Sequence, residues 1–178
     1  MAVPKLRFTV SHTTRSRRPG ETPGADYHFI NRVDFEAMIQ AEKFVEWAEV
    51  HGQLYGTSWA ELESSTQAGP TLILDVDIQG AEAIRKRLPE CMSVFIMPPS
   101  IQELRRRLMR RETRWTDALE KRLNAAKAEM ADHCRFDFIV VNDVLDDALS
   151  ALTHIVLAIQ HRTPRQMARV RRILGEEQ

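Results

Sequence analysis

Apolar and polar positions change period several times along the chain, and each change predicts an element. Leu6 to Val10 alternates and ends β-branched, which predicts a strand. A polar stretch follows from Ser11 to Gly24, punctuated by the turn dipeptides Pro19-Gly20 and Pro23-Gly24. Asp26 to Ile30 is a short strand candidate. Val33 to Glu42 carries Phe35, Met38 and Ile39 at helical spacing. Phe44 to Val50 alternates as a half-buried antiparallel strand does, which puts Glu46 on one face with Phe44 and Ala48. Ser58 to Ala68 reads as a helix stopped by Gly69.

Beyond residue 70 the pattern differs. Thr71 to Val76 is apolar without alternation until Asp75, as in a parallel strand covered on both faces. Ser93 to Met97 and Phe136 to Val141 repeat that pattern. Between them lie helical periods: Gln79 to Leu88, a helix capped by Ser100 that runs to about Arg111, and another from about Thr116 to His133. Leu145 to Ala158 is a last amphipathic helix. Buried strands alternating with helices predict an α/β parallel sheet, and the shorter antiparallel strands near the start predict a small inserted β/α subdomain. In such sheets ligands sit at the carboxyl ends of strands, where Asp75, Asp77 and Asn142 fall.

Composition narrows the class. The chain has 178 residues, enough for one domain with an insertion and a core that needs no staples. Lys plus Arg and Asp plus Glu are both 25, so no bulk charge draws the chain to nucleic acid or anionic lipid. The 2 cysteines, Cys91 and Cys134, lie outside any CxxC and read as reduced thiols of a cytoplasmic protein. No apolar run is long enough to span a membrane, and the first residues contain no secretory signal pattern.

Four clusters carry candidate chemistry. Ser11 to Glu21 holds Arg15, Arg17 and Arg18 among hydroxyls, which suits either a phosphate cradle or a solvated loop. Tyr27, Glu46, Tyr55 and Thr57 offer hydroxyl donors and one carboxylate, able to read a guanine edge or simply to face solvent. Asp75 and Asp77 follow a buried strand, as nucleotide-side groups or, for Asp77, as a helix cap. Arg107, Arg111 and Arg114 share a helix face, where like charges call for an anion or for acids such as Glu103.

In order, the segments FTVSHTTR, RPGE, GADYHF, FVEWAEVHGQLYGT, LILDVDIQGA, MPPS, the arginine-rich helix, RLNAAKAEM and FDFIVVND resemble the guanylate kinase family from Phe8 to about Ile159. The resemblance implies a P-loop nucleoside-monophosphate-kinase-like parallel core, an inserted GMP-binding subdomain over about 11–68, core segments over about 70–100 and 134–160, a helical lid over about 101–130 and a basic tail over 161–178. It implies phosphorylation of GMP by ATP with Mg2+. Ser11, Arg15, Arg18, Tyr27 and Tyr55 match GMP-phosphate ligands, with Glu21 elsewhere in that site. Glu46 and Thr57 match the readers of guanine, with Asp77 beside them. Asp75 matches an acid at the transfer centre, Arg107, Arg111 and Arg122 match catalytic lid arginines, and Asn142 matches a contact on the adenine side.

Two departures stand out. The family begins with a strand, G-x-x-x-x-G-K-[ST] and a helix, whereas none of the seven glycines here is followed by Lys. The first strand, the ATP-phosphate loop and its helix are therefore expected to be missing from this sequence. The expected consequence is an exposed apolar sheet edge, with the chain destabilised, associating with copies through that edge, or rearranged. Three readings stay open: a start placed too late, a GMP- or protein-binding homologue without catalysis, and an enzyme that takes ATP another way. The second departure is in the lid, where Arg110 and Glu112 replace the family's usual glycines and are expected to stiffen and lengthen the helix.

Overall fold

The computed structural model describes residues 3, 6–50, 52–66, 71–110 and 115–176. The chain divides into two compact units, Met1–Cys91 and Met92–Gln178.

The first unit contains β1 (Leu6–Phe8), β2 (His12–Thr13), β3 (His28–Phe29), α1 (Arg32–Gln40), β4 (Phe44–Val50), β5 (Gln53–Ser58), α2 (Trp59–Thr66), β6 (Thr71–Ile73) and α3 (Ile78–Arg87). Strands β3-β2-β5-β4 form one sheet with antiparallel β2–β5 and β4–β5 pairs, and β1 pairs with β6 in parallel. The second unit contains β7 (Val94–Met97), α4 (Ile101–Met109), α5 (Asp117–Ala131), β8 (Phe138–Val141), α6 (Leu145–Gln160) and α7 (Thr163–Leu174), with β7 and β8 paired in parallel. The mixed α/β class, with parallel core strands and an antiparallel β/α portion, is as expected.

Local chemistry explains most boundaries. Asn31, Asp77, Ser100 and Thr116 each accept a backbone N–H from the first turn of α1, α3, α4 and α5. Glu103 does not complete a capping box at Ser100. Its carboxylate turns instead to Arg106 and Arg107, at 2.6 and 2.7 Å. Helix α1 ends at Gln40, before the expected Glu42, because Lys43 N–H bonds Met38 C=O and Glu42 N–H bonds Ile39 C=O. That double closure puts Glu42 in the left-handed region, at φ 50°.

Other expectations shift. Strand β6 ends at Ile73, so Asp75 lies in the connection to α3 and not within a strand. Helix α4 ends at Met109 with Arg110 as its cap, short of the expected Arg111, and residues 111–114 lie outside the described residues. Strands β2 and β5 and helix α7 arise where no element was predicted.

Two apolar clusters frame the antiparallel sheet. Phe35 stacks on Phe44 at 4.4 Å and packs with Leu54, Ile30, Met38 and Ile39. On the other side Val45 packs with Leu62 and Ile84, flanked by Leu72, Leu74 and Val76. Consecutive Phe44 and Val45 thus point into different clusters, and the following residue is what matters for the site.

Candidate functional site

A β-bulge sets the direction of Glu46. In the β4–β5 ladder Phe44 pairs with Ser58 and Glu46 pairs with Thr57, so Val45 is an extra residue. Strict alternation would have put Glu46 with Phe44, beside α1. The bulge turns it instead toward the Val45 side, where a Cβ on Gly80 of α3 would lie 2.9 Å from Glu46 Oε2. The expected sharing of a face with Ala48 holds, since both line one cavity; the sharing with Phe44 does not.

Glu46 is 5 % exposed. Its Oε1 accepts the Thr57 backbone N–H at 2.8 Å, and Thr57 Oγ1 lies 3.1 Å from Ser11 Oγ. Burial raises the Glu46 carboxyl above its ordinary range; the bonds from Thr57 act the other way, and nearby Asp77 adds to the rise. The cavity holds about 320 Å³ and is lined by Ser11, Tyr27, Glu46, Tyr55, Asp75 and Asp77, among others. Six residues singled out in the sequence thus meet at one hollow. Asp77 has two duties there, because its Oδ1 also accepts Gly80 N–H at 2.8 Å and caps α3. Asp75 is exposed at the rim.

The loop after β2 supplies the cations. Arg15 Nη2 meets Glu21 Oε1 at 2.7 Å, and Arg18 N–H donates to Glu21 Oε2 at 2.7 Å. Arg15 N–H is held by the fully buried Thr13 hydroxyl at 3.1 Å. The Arg15 guanidinium lies 5.4 Å from the Tyr27 ring centre, and Tyr27 meets Tyr55 edge-on at 6.0 Å. Burial first, then Asp75, raises the Tyr27 hydroxyl above its ordinary value and keeps it a donor. Arg18 is exposed, and its side chain has no ion pair among the described residues. Glu21 therefore organises the two arginines; Arg15, Arg18, Glu21 and Thr57 are not themselves among the residues that line the cavity.

Sequence reasoning missed Arg87. It ends α3 and donates from Nη1 to the carbonyls of Phe44 and Val45, at 2.5 and 2.7 Å. Its only sequence signal was a basic last helical turn, which usually means no more than a favourable helix end. A second hollow, of about 750 Å³, is lined by His12, His28, Lys43, Trp59 and Glu61 among others, and contains none of the expected GMP residues.

The remaining candidates belong to the second unit. Arg107 on α4 pairs with Glu103, whose carboxyl is lowered to about 2 by hydrogen bonds from Arg106 and then Arg107. Arg122 is exposed on α5, Asn142 donates its backbone N–H to Met97 C=O at 2.7 Å, and Arg111 lies outside the described residues. Among the described residues no group of three or more His, Cys, Asp or Glu could hold a metal ion, and no helix is long and apolar enough to cross a membrane.

Comparison with known proteins agrees with this geometry. The guanylate kinase family model matches residues 3–159. A guanylate kinase of Geobacter sulfurreducens is 45 % identical over 172 residues, covering 97 % of this chain and 85 % of that protein. One of Pseudomonas fluorescens is 42 % identical over 175 residues, covering 98 % and 85 %. The crystal structure of guanylate kinase from Anaplasma phagocytophilum superposes with a TM-score of 0.78 at 33 % identity, over 90 % of this chain and 79 % of that one. With a buried carboxylate and a tyrosine pair lining one hollow, Arg15 against the ring of Tyr27, and a family match over most of its length, the chain belongs to the guanylate kinase family.

Proposed function

We propose that this chain binds GMP in the 320 Å³ cavity for phosphorylation by ATP to GDP. The observation that carries the proposal is Glu46, a buried carboxylate turned into the cavity by a bulge. An ionised carboxylate there accepts from guanine N1–H and N2–H together, while adenine sets an acceptor against it. Thr57 supports the same edge, and Asp77 adds an acceptor beside it. Ser11, Arg15, Arg18, Tyr27 and Tyr55 hold the phosphate, and Glu21 orients the arginines. Charge on phosphate is best met by fixed forks and hydroxyls.

Asp75 and the arginines Arg107, Arg111 and Arg122 are assigned to the phosphoryl-transfer step, and Asn142 to the adenine side. Residues of about 11–68 form the GMP subdomain, about 70–100 and 134–160 the core, about 101–130 the lid, and 161–178 a basic tail beyond the family match. ATP supplies the phosphoryl group, with Mg2+ neutralising its oxygens. The 178 residues hold no G-x-x-x-x-G-K-[ST] sequence, so they account for the GMP side of the reaction and not for a complete ATP-phosphate cradle.

The same cavity also fits a second reading, a GMP-binding module without phosphoryl transfer. Calorimetry with GMP and, separately, with MgATP tells the two apart. Binding of both, with GDP formed in a coupled assay, supports the kinase. GMP binding alone supports the module. Absence of GMP binding sinks both. The exposed Phe8, Ile96, Ile139 and Val141 of the core strands belong to the same proposal, as places where copies associate; sedimentation showing a monomer removes that part.

A further inference from the structure

Helix α3 grips the bulge from which Glu46 projects. Arg87, its last residue, reaches back from the helix end with one guanidinium nitrogen and bonds two consecutive carbonyls, Phe44 and Val45. Those are the residue before the bulge and the bulged residue itself. A bulge leaves backbone groups outside the ladder, and such groups need another partner. At its other end the same helix brings Gly80, with no side chain, against Glu46 Oε2. A methyl group there would also lie 3.0 Å from Val76 Cβ, so the carboxylate occupies space that any other residue would take.

We infer that Arg87 is a positioning residue for base recognition, holding the Phe44–Val45 bulge so that Glu46 faces the cavity and not the α1 side of the sheet. The hydrogen bonds of Arg87 go to backbone carbonyls, and Arg87 is not among the residues that line the cavity. If the clamp were absent, the ladder could slip toward regular pairing, and a one-residue slip sends a side chain to the opposite face. A charge-assisted bond to each of two carbonyls is well suited to prevent that. Lysine keeps the charge, but its ammonium sits on a flexible stem and is less pre-organised to hold both carbonyls from one nitrogen, as Arg87 Nη1 does.

This inference rests on the GMP reading of Glu46, and the experiment separates the two. GMP and IMP, which lacks the N2 amine, are titrated calorimetrically into wild type, Glu46→Gln, Arg87→Ala and Arg87→Lys. Wild type is expected to prefer GMP, and Glu46→Gln to lose that preference. Arg87→Ala is expected to lower it about tenfold, with Arg87→Lys recovering part of the loss. A preference retained in Arg87→Ala, whatever its melting temperature, overturns the inference while leaving the GMP reading intact. If wild type has no preference, the GMP reading fails, and the positioning is then read without nucleotide.

The second measurement is the pH titration of the Glu46 carboxyl carbon by NMR, assigned by its absence in Glu46→Gln. The groups facing this carboxyl are Thr57 from β5 and Asp77 from the start of α3. A released Glu46 is not held in its cavity wall, and a carboxylate does not settle among Phe35, Phe44 and Leu54 on the α1 side, so it turns to water and its midpoint moves down toward the ordinary carboxylate range. Simple loss of the Arg87 charge would move it up, so the sign distinguishes the two causes. An unchanged or raised midpoint overturns the inference. Should Arg87→Ala fail to fold, Arg87→Met, of similar length and with no donor, takes its place in both measurements.

Discussion

Arg15 and Glu21 hold each other in a two-point ion pair, Nη2 to Oε1 at 2.7 Å and Nη1 to Oε2 at 3.1 Å. Glu21 also accepts the Arg18 backbone N–H, so one carboxylate fixes both the fork of Arg15 and the chain direction at Arg18. The bonds from Arg15 and then Arg18 hold the Glu21 carboxyl below its ordinary value. Glu21→Ala is therefore expected to weaken GMP binding several-fold while guanosine binding, which lacks the phosphate, is unchanged. Equal losses for the two ligands in calorimetry would show that Glu21 acts on the whole subdomain and not on the arginines. The depressed Glu21 value also has a sign: its contribution is present above the unfolded value of 4.5 and is lost as pH falls below it.

Asp77 separates cap from ligand by substitution. Its Oδ1 caps α3 through Gly80 N–H at 2.8 Å, and it lines the cavity. Asp77→Ala removes both roles and is expected to cost about 1 kcal/mol of stability. Asp77→Asn keeps a capping oxygen and removes the charge, so it should stay within a few tenths of a kcal/mol of wild type while lowering GMP affinity. Denaturant titration and calorimetry on both variants check this. Identical stability losses in the two would show that the cap needs the charge.

Much of this arrangement was legible from residues alone, and the failures have physical causes. The caps at Ser100 and Thr116 and the strand Phe44–Val50 fall where the pattern put them. Glu46 was placed on the wrong side of Phe44 because a bulge adds a residue without leaving any mark in the order of letters. Strand β5 escaped notice because Gln53–Ser58 is mostly polar and contains Gly56, which no strand propensity favours. Gly56 is needed because a Cβ there would lie 2.9 Å from the Trp47 Cβ across the ladder. Arg87 looked like a helix-end cation because its partners, Phe44 and Val45, lie more than forty residues earlier.

His12 gives the fold an acid limit. Burial first, and His28 second, lower it to about 4, while Glu61 opposes them. Its Nδ1 is buried and has no hydrogen-bond partner among the described residues. His12 thus stays neutral when folded but takes up a proton when unfolded below 6.5. Its contribution is present above 6.5 and is lost as pH falls from there toward 4. Urea midpoints measured from pH 7 to pH 4.5 should fall in wild type and fall less steeply in His12→Phe. Parallel curves would place the acid sensitivity elsewhere.

Glu46 sets recognition against stability. Its carboxyl is raised by burial, so the folded state keeps the proton to higher pH than the unfolded chain, whose value is 4.5. The favourable contribution is present below 4.5 and is lost as pH rises through the folded value; at neutral pH the fold carries a buried charge. Glu46→Gln removes that charge and keeps an oxygen for Thr57 N–H. Near neutral pH the variant should melt about 2–4 °C higher, the shift that ~1 kcal/mol produces in a chain of this size. Near pH 4 the difference should shrink, because the wild-type carboxyl is then protonated in both states. The same substitution should cost at least about tenfold in GMP affinity, ~1.4 kcal/mol, because the amide nitrogen faces the donors of guanine. A variant that melts lower than wild type at neutral pH would mean that the Thr57 bonds outweigh the burial cost, and Glu46 would then be a structural residue whose charge the fold requires.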